Sequence, residues 1–175
     1  MRQALLLVAV TGFVAAIAAA CARRSPGVPA ADSVPAPQVS ATPSVSLERQ
    51  PCFGTCPVYT VTIDGSGAVR FEGRRFVADT GVFISAIPPA RVDSLLAELE
   101  AAGYFGFADR YTPGAPVCEH AATDLPTVIT EVHLRDRAKR IEHYYGCAGA
   151  PAILDSLERR IDAVGGVARW LGRER

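Results

Sequence analysis

The chain has 175 residues, 18 Lys+Arg against 18 Asp+Glu, 49% hydrophobic residues and five cysteines. Balanced charge leaves no basic footprint for nucleic acid or for an anionic membrane surface. A charged fraction of 21% in so apolar a chain excludes a mostly disordered protein, and the length suits one domain with additions.

Met1-Arg2-Gln3 carries one positive charge, and Ala4 to Ala20 carries none. The apolar run falls short of the roughly 20 residues that span a bilayer as a helix. It ends in Ala18-Ala19-Ala20 directly before Cys21. The order basic, apolar, small reads as a signal peptide over residues 1–20. Ile17-Ala18-Ala19-Ala20-Cys21 resembles a bacterial lipobox, which implies that Cys21 becomes the first mature residue and takes a diacylglycerol on its thiol. Ala18-x-Ala20 also fits an ordinary signal-peptidase site, and an uncleaved anchor is a third reading. All three put the rest of the chain outside the cytoplasm. The expectation is therefore a chain fixed to the cell envelope by lipid on Cys21, with the membrane as partner, facing the periplasm. Ala22, rather than Asp, after the cysteine points to the outer membrane.

Residues 21–46 hold Pro26, Pro29, Pro35, Pro37 and Pro43 among Ala, Ser and Val. Such a segment buries too little apolar area to offset its ordering entropy and is expected to be an extended tether. The folded domain is expected over residues 47–172. Val58 to Ile63 alternates in β-branched and aromatic residues, Asp64-Gly65-Ser66-Gly67 supplies a turn, and Ala68 to Gly73 alternates again. Gly81 to Ile87 adds a strand. Pro88-Pro89 then opens a helix with Val92, Leu95, Leu96 and Leu99 inward and Gly103 at its stop.

The second half repeats this plan. Val128, Thr130, Val132 and Leu134 alternate with Ile129, Glu131 and His133, and Lys139 to Tyr145 returns the chain. Pairing Leu134 with Lys139 puts Val132 opposite Ile141 and Thr130 opposite His143, a core histidine. Pro151 starts a helix with Ile153, Leu154, Leu157, Ile161 and Val164 inward, stopping at Gly165-Gly166, and Trp170-Leu171 make a closing turn. Two hairpin-plus-helix halves predict an α+β domain: an antiparallel sheet of about five strands with both helices on one face. Between the halves, about Phe105 to Leu125 forms a long loop, which is functional or pinned.

Beyond Cys21, the cysteines are Cys52, Cys56, Cys118 and Cys147. An even count in an exported domain favours disulfides, with three connectivities open. Cys52–Cys56 closes a short loop easily, and Cys118–Cys147 would close a ring of about 30 residues, worth roughly 3–4 kcal/mol. The alternative is a metal- or thiol-dependent protein. Cys52, Cys56 and Cys147 with Cys118 or His120 would supply four zinc ligands, or Cys52 and Cys56 a redox dithiol.

Cys52-Phe53-Gly54-Thr55-Cys56-Pro57-Val58-Tyr59, followed by a strand and a Gly-bearing hairpin, resembles the opening of a bacterial domain of unknown function, family 6438. Asp124-Leu125-Pro126-Thr127 and the helix from Pro151 to Asp162 are similar to that family's second half. The resemblance covers about Leu47 to Leu171. It implies a short exported protein or lipoprotein of a bacterial envelope without an assigned activity. Only a motif role for Cys52, Cys56 and Pro57 carries over.

His133 and Arg140 are expected opposite each other beside Glu131, Glu142 and Tyr144. With His120 they are the candidate ligand patch, although a solvated face of paired charges explains the hairpin as well. Glu119-His120 and Asp124 are a candidate acid–base set for a hydrolase. Asp64 to Gly67 lacks the context of a calcium loop or a nucleophile elbow. The sequence thus predicts a non-catalytic envelope module that binds a partner or supports an assembly, without cofactor, metal or nucleic acid.

Overall fold

A computed structural model describes residues 42–172. The predicted signal peptide, Cys21 and the tether up to residue 41 lie outside the described residues. Among the described residues, no helix is long and apolar enough to cross a membrane.

The elements are β1 (Ser44–Arg49), β2 (Val58–Asp64), β3 (Ala68–Arg75), β4 (Gly81–Ala86), α1 (Pro89–Ala101), β5 (Arg110–Tyr111), β6 (Thr127–His133), β7 (Ala138–Tyr144), α2 (Ala152–Gly165) and α3 (Ala168–Leu171). They form one seven-stranded sheet in the order β4-β3-β2-β1-β6-β7-β5. All pairs are antiparallel except β5–β7, which is parallel. The α+β class stands, but five antiparallel strands and two helices do not: the sheet is mixed, with seven strands, and three helices accompany it.

Each missing element has a local reason. Strand β1 begins at Ser44, inside the segment whose composition reads as tether, and Pro43 and Pro51 bracket it. Its alternation is nonetheless complete: Val45 and Leu47 are fully buried while the serines between and beside them are half-buried. Strand β5 is only two residues long and sits within the long loop, where Glu142 N–H donates to the Asp109 carbonyl at 2.9 Å. Helix α3 is a single turn, too short for periodicity to show.

The β2–β3 turn is closed by Asp64, whose Oδ1 accepts from Ser66 N–H at 2.8 Å and Ala68 N–H at 3.2 Å. Gly67 has φ +89°, and a Cβ there would lie 2.1 Å from the Ile87 carbonyl oxygen, so only glycine fits. In the second hairpin, Leu134 N–H donates to the Arg137 carbonyl at 2.8 Å across Arg135-Asp136. The tight turn moves the register by two: Val132 pairs with Lys139, Thr130 with Ile141 and Val128 with His143. An even shift leaves each side chain on its expected face.

Helices α1 and α2 touch each other, and α2 lies on β1 and β2. Val92, Leu95 and Leu99 of α1, with Leu154, Ile161 and Val164 of α2, share one buried cluster with Val45, Leu47, Val61, Ile63, Val69, Phe71, Val128, Val132 and Ile141 of the sheet. At the β3 end, Phe71 stacks on Trp170 with ring centroids 4.7 Å apart, and Asp79 N–H donates to the Trp170 carbonyl at 3.1 Å. The opposite face carries ion pairs, among them Arg70–Glu72 at 2.8 Å and Arg74–Glu48 at 3.1 Å.

Leu47 faces the core between Val61 and Thr130. Leu47→Ala is expected to cost about 3 kcal/mol in urea denaturation, whereas a residue of a tether would give a silent substitution.

Candidate functional site

Where β1 ends, its backbone enters the Cys52–Cys56 loop and its last side chain turns under α2. Arg49 Nε donates to Tyr59 Oη and to Asp162 Oδ2, both at 2.9 Å. Its Nη2 donates to Asp162 Oδ2 at 2.6 Å, and its Nη1 to Tyr145 Oη at 2.9 Å. Tyr59 Oη completes the cluster by donating to Asp162 Oδ1 at 2.8 Å. The positions follow from register and helical spacing. Arg49 and Tyr59 are cross-strand partners, and Asp162 lies one turn beyond Glu158 on α2. Glu158, fully buried, meets His143 Nδ1 at 2.8 Å, and the His143 and Tyr145 rings lie 5.0 Å apart.

Burial sets the ionisation of this cluster. It pushes the Asp162 carboxyl above its ordinary value, although Arg49 and Tyr59 work the other way. Burial also raises the Tyr59 phenol, as does the neighbouring Asp162 carboxylate. Tyr145 is raised by burial and by Glu158, and Tyr104, whose hydroxyl lies 2.6 Å from Thr130 Oγ1, mainly by burial. Burial opposes the Arg49 charge, but Asp162 and the two phenols more than restore it. The hydrogen bonds of the Arg49 cluster run among its own members, so the arrangement braces the fold.

The cysteines come together in pairs. Cys52 and Cys56 are at disulfide distance with Cα atoms 5.7 Å apart, and so are Cys118 and Cys147 at 5.3 Å. The second pair fastens the long loop to the end of the second hairpin, where Ala122 N–H donates to the Gly146 carbonyl at 2.9 Å and Tyr144 Oη to the Ala122 carbonyl at 2.8 Å. Gly149 lets the two segments touch, since a Cβ there would lie 1.7 Å from the Val117 carbonyl oxygen. The first loop is tied to the same segment by Phe53 N–H donating to the Asp124 carbonyl at 3.2 Å. Phe53 itself is 88% exposed.

The other expected sites disperse. His133 pairs with Ala138, and Arg140 with Glu131, so the two are not opposite each other. His133 Nε2 instead bonds Glu131 Oε1 at 2.6 Å, and Arg140 lies 3.9 Å from Glu142. His120 is exposed and contributes its carbonyl, at 3.3 Å from Ala148 N–H. The Asp124 carboxylate accepts from Thr123 Oγ1 at 3.0 Å, and no hydrogen bond joins the side chains of Glu119, His120 and Asp124 among the described residues. Among those residues, no three His, Cys, Asp or Glu side chains converge as a metal-binding group. A cleft of about 610 Å³ along Ala108 to Val117 contains none of the predicted site residues.

Tyr59, Asp124 and Asp162, one from each stretch on which the family resemblance rests, lie around this end of the sheet: Tyr59 and Asp162 bond each other, and Asp124 holds the loop that precedes Tyr59. A family model described as Domain of unknown function (DUF6438) matches residues 43–165. The chain belongs to this family. The matched DUF6438 region runs from the threshold of β1 to the last residue of α2, so it takes in the whole sheet and every residue of the Arg49 cluster. A comparison with curated proteins gives no match.

Arg49 lies outside the stretches on which the family resemblance rests, and Glu158 and Asp162 lie in its helix stretch without a role attached to them. Their signal is that Glu158 and Asp162 fall on the inward stripe set by Leu154, Leu157 and Ile161, and carboxylates in a helix's buried face require partners.

Arg49→Leu leaves Asp162 without its cation and is expected to destabilise the fold by about 3 kcal/mol, while Arg49→Leu combined with Asp162→Leu costs less than the two single changes summed. Urea denaturation of the four chains measures the coupling. Alkaline pH provides a second check. Tyr59 and Tyr104 stay protonated in the fold but ionise near pH 10 once unfolded, so unfolding releases protons. Stability is then expected to fall above pH 10 by about 1.4 kcal/mol per pH unit for each buried phenol. A flat profile between pH 9 and 11 contradicts this.

Proposed function

We propose that this DUF6438 chain is a non-catalytic binding or structural module of the bacterial cell envelope, exported and held there by a lipid on Cys21. The observation that carries the proposal is the two-by-two pairing of Cys52 with Cys56 and Cys118 with Cys147. Such pairs persist as disulfides in oxidising compartments and are rare in reducing ones. The amino-terminal order of Arg2, an uncharged apolar run and Ala18-Ala19-Ala20-Cys21 supports export and acylation. The Arg49 cluster, whose hydrogen bonds run among its own members, supports a scaffold in preference to a catalyst.

The folded part keeps its shape without a metal in this proposal, because its β1–β2 loop and its long loop are held by covalent bridges and the core. The Cys118–Cys147 bridge closes a ring with a sequence separation of 29. Its removal in Cys118→Ala combined with Cys147→Ala is expected to cost roughly 3–4 kcal/mol, more than removal of the short Cys52–Cys56 bridge.

Mass spectrometry of the protein from bacterial membranes, without reduction, tests the whole proposal. It is expected to show Cys21 as the first residue, carrying diacylglycerol, and no free thiol among the other four cysteines. Cys21→Ala should release the chain from the membrane fraction. Four free thiols with bound zinc, or an unprocessed amino terminus with unmodified Cys21, would sink it.

A further inference from the structure

Strand β4 ends the sheet on one side, and its backbone alternation is fixed by one bond. Ile87 N–H donates to the Gly67 carbonyl at 2.9 Å, in continuation of a register that pairs Ser85 with Val69 and Phe83 with Phe71. In an antiparallel ladder the bonded residues alternate. Gly81, Phe83 and Ser85 therefore turn their N–H and C=O groups to β3, and Val82, Ile84 and Ala86 turn theirs outward. The same residues place their side chains on the helix-free face, where Val82 is 53% and Ile84 70% exposed.

The usual protections of an edge are missing here. Gly81–Ala86 contains no charge and no proline, and its register with β3 runs without a bulge. The opposite edge is different, since β5 is two residues long and begins with an exposed Arg110.

We propose that β4 is a docking edge for a second copy of this chain, joined antiparallel about a two-fold axis. Side chains on one face must meet side chains on the same face, so the pairing places Val82 of one copy opposite Ile84 of the other and Phe83 opposite Phe83. Val82 and Ile84 then both exchange backbone bonds across the axis, and the four exposed apolar side chains cover one another. Charge favours this register over its neighbour. Ile84 is flanked on β3 by Arg70 and Val82 by Glu72, so every cross-sheet row runs from an arginine in one copy to a glutamate in the other. Pairing Ile84 with Ile84 would instead put Arg70 at both ends of a row. Arg70 and Glu72 also neutralise each other at 2.8 Å within a copy, and the chain's formal net charge is +0, so like copies do not repel.

Sedimentation equilibrium of the protein as isolated, density-matched in a non-ionic detergent, is expected to give twice the mass that mass spectrometry assigns to one chain. Ile84→Pro deletes an outward N–H and no bond to β3, and Ile84→Lys puts a charge among the apolar four. Each is expected to return the mass of a single chain with an unchanged far-ultraviolet circular dichroism spectrum. An unsubstituted chain that stays monomeric, leaving the edge to a strand of another protein, overturns the proposal. So does an Ile84→Lys chain that remains dimeric.

Discussion

Strand β1 joins the two hairpin units of the sheet, which do not otherwise pair. It pairs with β2 along one edge and with β6 along the other, over all six of its residues. Remove it and the β2–β3–β4 and β6–β7 units are two separate ribbons, each with a half-covered apolar face. With it, Val45 and Leu47 sit at the centre of a single core, and both helices have one continuous surface to cover. Everything else in the domain follows from seating six residues, Ser-Val-Ser-Leu-Glu-Arg, between two hairpins.

That seat is locked at one end by charge. Arg49 sits beneath α2, with side-chain exposure of 17%, and holds Asp162 and two tyrosines from separate parts of the chain. A buried guanidinium is costly unless directed acceptors meet it, and Asp162 Oδ2, which accepts from both Nε and Nη2, supplies them together with the Tyr59 and Tyr145 phenols. The cluster thus makes β1, β2, the segment after β7 and α2 mutually dependent in position, where apolar contacts alone would tolerate sliding. Beside it, the paired cysteines fasten the two irregular segments of the chain. The DUF6438 match spans this whole assembly.

Much of this was legible in the amino-acid order where a period repeats long enough. The β2–β3 hairpin, β4, α1, the β6–β7 hairpin and α2 all follow from alternation, helical spacing and the Gly and Pro residues at their ends, while the cysteine pairs found are one of the three connectivities that the sequence left open. Strand β1 did not, because its serines and flanking prolines match the tether before it, and its place is set by strands on either side. The register of β6 on β7 depended on whether Leu134 ended a strand or opened a turn, which one backbone bond to Arg137 decides. The Arg49 cluster lay hidden because its members are distant in sequence. His143 was legible as a core histidine, but its partner Glu158 was visible only as an oddity on the apolar stripe of α2.

The central position of β1 also has a meaning in time. A chain made from its amino terminus presents Ser44–Arg49 before any other strand among the described residues, yet one of its two neighbours, β6, begins only at Thr127. The first strand to appear must therefore wait, half-paired with β2, until most of the domain exists, and Asp162 arrives later still to neutralise Arg49. Closing so long a loop is slow relative to forming either hairpin. The proline-bracketed, serine-spaced sequence that disguises β1 as tether suits that delay, because a strand this short and polar exposes little sticky surface while its slot is being built.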